Sequence, residues 1–185
     1  MTRPLEFAAG SPALDLVDTV AARGRTSAEL LTDPAVLADW LVRAGLLPEA
    51  PEVSVAQLDQ ARVLREAIFR SATAAIANTA PSPEDVDAIN RVAAFPGFRP
   101  QLIDGAMVLQ AADPAEAALS LLAADAIGLL TPPYRDRLRT CPGCNMVFVD
   151  RSRPGRRRWC SSSAGCGNLA KVRSFRSRKK KGDPI

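Results

Sequence analysis

The sequence predicts a mainly α protein: a helical body that carries one small β-hairpin, followed by a small α+β module. Signals for helix starts recur through the first 130 residues, and apolar residues at helical spacing follow them. Pro132 and Pro133 then end the helical pattern, because proline lacks a backbone donor and restricts the residue before it. We therefore expect a mostly helical domain over residues 1–133, a second domain over 134–181, and a disordered tail over 182–185.

Two kinds of signal mark the helix starts. Thr26 with Glu29, and Ser54 with Gln57, have the spacing of a capping box, in which two side chains satisfy free N–H groups at a helix end. Aspartate or serine directly before proline marks three further starts, at residues 33–34, 82–83 and 113–114. The stripes expected to face the core are Leu37, Trp40 and Leu41; Leu58, Ala61, Leu64, Ala67 and Ile68; Val86, Ile89, Asn90 and Ala93; and Leu119, Leu122, Ala123, Ala126, Ile127 and Leu130.

One segment of the body departs from the helical pattern. In FRPQLIDGAMVLQAA, which spans residues 98–112, Asp104 and Gly105 separate two short apolar runs. This pattern is typical of a hairpin with a two-residue turn. We expect a β-hairpin there, and we expect Gly45 to end the helix that begins near Pro34.

Charge divides the chain into two unlike parts. The net charge is +4, but residues 135–185 carry 11 Arg and 4 Lys against 3 Asp, a balance of +12 that leaves −8 on the remainder. Such a division indicates an acidic globular body with a basic arm that binds a polyanion.

Composition excludes several classes of function. The chain contains no histidine, so Ser-His-Asp and Cys-His catalysis are impossible and no imidazole binds metal. We find no apolar run long enough to span a bilayer, and the start lacks the basic head and apolar stretch of a signal peptide. We expect a cytoplasmic protein that binds no membrane and is not an enzyme.

All four cysteines, Cys141, Cys144, Cys160 and Cys166, fall within 26 residues of the basic part. Their spacing, C-x2-C, 15 residues, then C-x5-C, suits four thiolates around a tetrahedral zinc ion. Reducing cytosol disfavours disulfides, and an iron–sulfur centre is the alternative. Because the protein supplies four ligands and leaves no position open, we expect one structural Zn²⁺.

The residues around the cysteines predict a treble-clef-like zinc finger. The run from Met146 to Val149 favours a strand, Pro154 and Gly155 favour a turn, and residues 157–159 can return as the partner strand. Cys166 then opens a helix whose first turn supplies the last ligand. The residues expected to pack inward are Phe148 and Trp159 from the finger, and Leu169, Val172 and Phe175 from the helix.

The basic residues of this finger favour nucleic acid as the partner, because guanidinium groups match phosphate oxygens and guanine edges. Double-stranded DNA is the expected ligand. RNA is one alternative, although the arm has few aromatic side chains for base stacking, and an acidic protein surface is the other. The residues expected to contact nucleic acid are Arg156, Arg157, Arg158, Asn168, Lys171, Arg173, Arg176, Arg178, Lys179 and Lys180.

Nearly the whole chain resembles a known family. CPGCNMVFVDRSRPGRRRWCSSSAGCGNLAKVRSFRSR resembles the CGNR zinc finger, while LDLVDTVAARGRTSAELL and LREAIFR resemble the domain that precedes it in bacterial stress-induced transcription regulators. The resemblance implies zinc on the four cysteines, DNA binding by the finger and a small-molecule effector for the front domain. Leu169 departs from the signature, which has Arg there, and this removes one candidate phosphate contact. Asp18 stands where the front motif usually has Asn.

Three polar residues of the front motif, Asp15, Asp18 and Arg23, allow more than one interpretation. Two carboxylates can perform acid–base chemistry. Because Leu14 and Leu16 beside them are expected core residues, helix capping or a buried ion pair is the simpler explanation. A ligand pocket in the body rests on family analogy alone. A homodimer is attractive because one small finger offers limited contact area.

Overall fold

A computed structural model describes residues 5–23, 26–163 and 165–181, with side chains up to residue 178 in the last helix. The tail expected at 182–185 lies outside the described residues. The elements, in chain order, are α1 (Pro12–Val17), β1 (Val20–Ala21), β2 (Ala28–Glu29), α2 (Pro34–Arg43), α3 (Val55–Ile76), α4 (Pro83–Ala93), β3 (Arg99–Ile103), β4 (Ala106–Gln110), α5 (Pro114–Leu130), a 3-10 turn (Arg135–Arg137), β5 (Leu138–Thr140), β6 (Val147–Val149) and α6 (Cys166–Lys181).

The fold is mainly helical, as predicted, and α3 lies at its centre. This helix packs against α1, α2, α4 and α5. Ser54 and Gln57 form the expected capping box at its start. Asp33, Ser82 and Asp113 cap α2, α4 and α5, each accepting a hydrogen bond from the backbone N–H three residues further along the chain. These four predicted helix starts are confirmed. They could be predicted because each signal lies within a few adjacent residues.

The capping box expected at Thr26 and Glu29 is wrong. Glu29 lies in β2, which pairs with β1, and both of its carboxylate oxygens accept hydrogen bonds of 2.7 Å from the guanidinium of Arg65 in α3. The helix begins instead at Pro34. A buried guanidinium is a stronger partner for a carboxylate than a backbone N–H, and it comes from a distant part of the chain.

Two of the expected stripes differ in detail from the buried faces. In α4, Val86 and Asn90 are exposed, and the buried residues are Asp85, Ala88, Ile89 and Val92. The face is rotated because the Asp85 carboxylate binds Arg70 of α3, with 2.9 Å between an Asp85 oxygen and the arginine Nε. In α5, Ile127 is exposed and Leu130 is half-buried. The remaining stripe residues in α2 and α3 are buried as predicted.

The described residues form three antiparallel strand pairs, β1–β2, β3–β4 and β5–β6. The expected hairpin is β3–β4, and its turn residues Asp104 and Gly105 have φ of 49° and 78°, the left-handed backbone that a two-residue hairpin turn requires. The pairing expected between Met146–Val149 and residues 157–159 is wrong. β6 pairs with β5, which precedes the first cysteine, so the C-P-G-C segment is itself the connection between the strands.

The hydrophobic core continues from the helical body into the C-terminal part of the chain. β6 is buried along its length and packs against α1 and α3, and Leu138 and Phe148 join the same core cluster as Leu14 and Leu64. The domain boundary expected at residue 133 stays a prediction. No helix in the described ranges is both long and apolar enough to cross a membrane.

Candidate metal centre and basic surface

The first two cysteines lie in a tight loop between β5 and β6. The backbone N–H of Cys141 donates to the carbonyl of Met146 at 2.9 Å, and the N–H of Asn145 donates to the carbonyl of Cys141 at 2.9 Å. Asn145 has φ of 63°, a left-handed conformation that asparagine tolerates well. These contacts close the loop, which we call the knuckle (residues 141–146), so that Cys141 and Cys144 face the same side.

Cys160 and Cys166 complete the site from the following loop and from the first turn of α6. The four Sγ atoms all lie within 4.8 Å of one another, and those of Cys144 and Cys160 are 3.5 Å apart. Thiolates at about 2.3 Å from a tetrahedral zinc ion are separated by about 3.8 Å. Sulfurs this close leave room for one ion, so the cluster fits a single structural zinc.

The pKa values of these thiols also indicate a site for a cation. Burial raises the pKa of Cys144 and of Cys166. Burial also acts to raise the pKa of Cys141, but backbone N–H groups of Cys160 and Gly143 outweigh it and bring that pKa to about 7. Four crowded sulfurs cannot all ionise together without a positive charge between them, and a bound divalent ion replaces their protons.

Two glycines allow the knuckle and α6 to approach closely. A Cβ atom on Gly143 would lie 2.8 Å from Cβ of Cys166, and one on Gly167 would lie 3.3 Å from Cγ of Trp159. Any side chain at residue 143 would therefore displace a metal ligand. Trp159 packs against the core at this point, as the sequence predicted.

The loop between β6 and Cys160 is organised by Asp150, which sequence reasoning missed. Its buried carboxylate accepts hydrogen bonds from the backbone N–H groups of Ser152, at 2.9 Å, and Arg157, at 2.8 Å. Burial acts to raise the pKa of Asp150, but these hydrogen bonds hold it below its usual range. Aspartate two residues before serine is a pattern typical of such turns, and this was the available signal.

Arg157 differs from the two arginines beside it. Its guanidinium lies over the ring of Phe148, 4.7 Å from the centroid, and its Nε donates to the carbonyl of Trp159 at 2.8 Å. Arg157 is therefore half-buried and holds the loop, whereas Arg156 and Arg158 are exposed.

The other residues expected to contact nucleic acid lie on α6. Five of them, Asn168, Lys171, Arg173, Arg176 and Arg178, are exposed, and the side chains of Lys179 and Lys180 lie outside the described part of the chain. The sequence of α6 contains seven basic residues and no acidic ones. We call α6 together with Arg156 and Arg158 the basic surface.

Comparison with known families identifies both parts of the chain. Residues 10–133 match ABATE, the family described as "Putative stress-induced transcription regulator", and residues 137–179 match the CGNR zinc finger. The chain belongs to the ABATE family. No curated protein matches the sequence. The family and the clustered cysteines together indicate zinc binding and a regulatory role.

In the CGNR finger, the inward stripe expected on α6 is wrong. Leu169, Val172 and Phe175 are 49%, 38% and 48% exposed. The strand that would support them, β6, is instead buried against α1 and α3 of the ABATE domain. The first turn of α6 packs against the rest of the finger, where Cys166 lies close to Gly143 and Gly167 lies close to Trp159. From Lys171 to Arg178, all the side chains of α6 are exposed.

The front motif of the ABATE domain contacts the finger directly. Arg23 binds both oxygens of Glu66, at 2.8 and 2.9 Å, and lies over Phe69 at 4.2 Å. Its carbonyl accepts a hydrogen bond of 3.3 Å from the side chain of Asn145 in the knuckle. The ion pair of Arg23 is therefore with Glu66 of α3.

Asp15 is linked to the finger through hydrogen bonds to a single residue, Ala9. Its carboxylate accepts a hydrogen bond of 2.8 Å from the N–H of Ala9, and the carbonyl of Ala9 accepts one of 2.9 Å from the N–H of Val149 in β6. Burial raises the pKa of Asp15 from 3.8 to about 7, and the neighbouring Asp18 and Asp125 add to this effect. The segment before α1 therefore connects a buried carboxyl group to the finger.

Proposed function

We propose that this protein is a transcription regulator that binds double-stranded DNA through the basic surface of its CGNR finger. The observation that carries the proposal is the exposure of α6, a helix with seven basic residues, no acidic ones and a metal ligand in its first turn. The metal site fixes where this helix leaves the protein. The proposal also keeps the protein in the cytoplasm, where DNA is accessible and thiols stay reduced.

The dimensions and charge of α6 suit a DNA groove. Sixteen residues form a helix about 24 Å long, and the major groove, about 12 Å wide, admits such a helix. Each phosphate neutralised by lysine or arginine releases condensed counterions. Six such contacts predict that the logarithm of the binding constant falls with the logarithm of salt concentration with a slope of about −5.

The aromatic residues of the finger support DNA over RNA. Recognition of single-stranded RNA commonly uses exposed aromatic rings on which bases stack. Phe148 is fully buried and Trp159 packs against Gly167, which leaves Phe175 as the exposed ring among the described aromatic side chains of the finger.

The test begins with selection of bound sequences from a random duplex pool by the zinc-loaded full chain. Duplex DNA, duplex RNA and single strands of the selected sequence are then titrated at several salt concentrations. We expect tightest binding to duplex DNA, a steep salt slope, and a smaller slope after replacement of Lys171, Arg173 and Arg176 by Ala. The matched control is Arg91→Ala, an exposed arginine on α4 of the ABATE domain. Equal weak binding to every nucleic acid, with no preferred sequence, would exclude the regulator proposal.

We infer that the ABATE domain also binds a small-molecule effector, and one groove favours this. An open cavity of about 790 Å³ lies between the α2–α3 loop, the α4–β3 loop and the base of the β3–β4 hairpin. Pro51, Phe98 and Leu109 line its apolar wall, and Arg99 and Glu49 are the charged residues at it. An apolar molecule with a carboxylate suits this lining. Benzoate should raise the melting temperature of the wild-type protein and not of Arg99→Ala, and equal shifts in both proteins would contradict the assignment.

A further inference from the structure

The β3–β4 hairpin exposes apolar surface that no other part of the described chain covers. All ten of its strand residues are exposed. Leu102, Met107 and Leu109 share one face, because Leu102 lies opposite Met107 in the strand register, and they are 82%, 73% and 58% exposed. A two-stranded hairpin is only marginally stable in water without further strands or a packed face. We therefore expect this hairpin to be stabilised by further strands or by a packed surface.

The register shows which backbone groups point away from the hairpin. The residues that flank a two-residue turn form a hydrogen-bonded pair, and such pairs then alternate along the strands. Ile103–Ala106, Gln101–Val108 and Arg99–Gln110 are thus the bonded pairs. The backbone groups of Pro100 and Leu102 face outward at the β3 edge, and those of Met107 and Leu109 face outward at the β4 edge.

The two edges are not equivalent. At the β3 edge, Pro100 has no N–H to donate and Arg99 adds a charge, and both features are known to block strand addition. β4, with the sequence AMVLQ, has neither proline nor a charged residue. Met107 and Leu109 therefore present two N–H and two C=O groups, the set that an added antiparallel strand requires.

We propose that β4 pairs antiparallel with β4 of a second copy of this chain, with the twofold axis at Val108, to form a four-stranded sheet. In this register Met107 lies opposite Leu109 of the other copy, and the two copies exchange four backbone hydrogen bonds. Val108 lies opposite its own counterpart as a non-bonded pair. The outward groups of β4 satisfy this symmetry without any shift of the strand.

Charge complementarity supports a second copy as the occupant. Pairing about Val108 brings Asp104, in the turn of one hairpin, to the end of the sheet that holds Arg99 of the other, and it does so twice. With a strand spacing of about 4.8 Å, the backbones that carry these charges are about 14 Å apart. The pairs therefore add a weak long-range attraction that salt screens. Because β4 contains no charged residue, two copies of this strand can pair without bringing like charges together.

Side-chain neighbours across the new pair are equally compatible. On one face, Met107 adjoins Leu109 of the other copy, so each side chain loses exposed apolar surface. Aliphatic cross-strand neighbours of this kind stabilise antiparallel pairs. The proposal does not depend on DNA binding, although a dimer would carry two basic surfaces.

The first measurement is the mass of the zinc-loaded full chain in solution, by sedimentation equilibrium over a wide concentration range. We expect twice the monomer mass at high concentration. Val108→Asp places two carboxylates opposite each other at the axis and should raise the dissociation constant at least about tenfold. Val108→Lys should have the same effect through two ammonium groups.

A mixture of the two variants tests the axis itself. If Val108 faces its counterpart, Val108→Asp and Val108→Lys, each weakened alone, should form a one-to-one heterodimer. That heterodimer also shows that both variants fold.

Leu102→Lys is the matched control, because it places a charge on the outer strand β3 and should leave the dimer intact. A wild-type chain that stays monomeric at its highest soluble concentration overturns the proposal. So does a dimer that Leu102→Lys dissociates and Val108→Asp does not, because the faces and not the β4 edges would then be in contact.

Discussion

The two larger strand pairs of this protein are alike in geometry and opposite in environment. β3–β4 and β5–β6 are both two-stranded and antiparallel. Every residue of β3 and β4 is exposed, whereas every residue of β6 is buried. The difference shows that strand pairing alone does not decide burial, because the same local structure serves either as core or as surface.

Each hairpin meets its need for support in a different way. β5–β6 packs on α1 and α3, and its connecting loop supplies two of the four metal ligands. The β3–β4 hairpin has turn residues that adopt the left-handed backbone readily and, under our proposal, pairs with β4 of a second copy of the chain. The buried hairpin should therefore depend on metal and core packing, and the exposed one on neither.

Metal removal should separate the two hairpins most strongly. Zinc binding in structural fingers contributes on the order of 10 kcal/mol to folding. We expect a chelator to release one zinc per chain, to abolish DNA binding and to lower the melting temperature, while circular dichroism still shows a helical body. Cys144→Ser should reproduce these effects. A Cys144→Ser chain that retains one zinc, measured by atomic emission, would disprove the four-cysteine site.

Truncation of one side chain in each hairpin should give the next largest contrast. Phe148→Ala in β6 removes a fully buried ring and should lower the free energy of unfolding by about 3–5 kcal/mol. Leu102→Ala in β3 removes an 82% exposed side chain and should change it by less than about 0.5 kcal/mol. Urea denaturation of both variants measures the difference, and similar losses would contradict the contrast in burial.

Asp15, which is linked through Ala9 to β6, should make the stability of the protein depend on pH. Its pKa rises from 3.8 to about 7 on folding, so the folded state binds the proton more tightly. The corresponding stability is fully present below about pH 4 and is lost as the pH rises through about 7. Asp15→Asn keeps an acceptor for the N–H of Ala9 and removes the titration.

The variant Asp15→Asn should therefore be more stable than the wild type at about pH 8, by at most about 4 kcal/mol, and similar to it at about pH 4. Denaturation curves at several pH values give this comparison. The control is Asp39→Asn, which removes an exposed carboxylate on α2. A wild-type profile that Asp15→Asn does not alter would count against the buried carboxyl group.

The smallest expected effect separates neighbouring arginines of the loop that follows β6. Arg157→Ala removes the contact over Phe148 and the hydrogen bond to Trp159, and should cost about 1–2 kcal/mol of stability. Arg156→Ala should leave stability unchanged and weaken DNA binding, because its side chain is exposed. Thermal melts and DNA titrations of both variants should show opposite patterns, and matching patterns would remove the distinction.

Features encoded by a few adjacent residues could be predicted from the sequence. The caps at Asp33, Ser54, Ser82 and Asp113 use residues at most three positions apart, and the turn at residues 104–105 needs only its own backbone preference. The metal centre could be predicted because cysteine is rare and its spacing is specific.

The remaining features depend on distant partners, which no local pattern contains. Glu29 is bound by Arg65, 36 positions away, and this contact replaced the expected cap. The three residues of β5 are too few for periodicity to indicate a strand. The prediction of a buried stripe on α6 was wrong because β6 packs on the helical body. The sequence of the finger alone does not indicate this contact.

Because α6 packs through its first turn and is exposed from Lys171 to Arg178, a small rotation at its start produces a large displacement at its end. Its pivot lies at Cys166 and Gly167, and its far end is about 24 Å away. A rotation of about 10° at the pivot moves that end by about 4 Å, slightly more than the 3.4 Å rise between successive base pairs. Under the proposed DNA binding, a rotation of this size at the start of α6 would shift its far end by about one base pair.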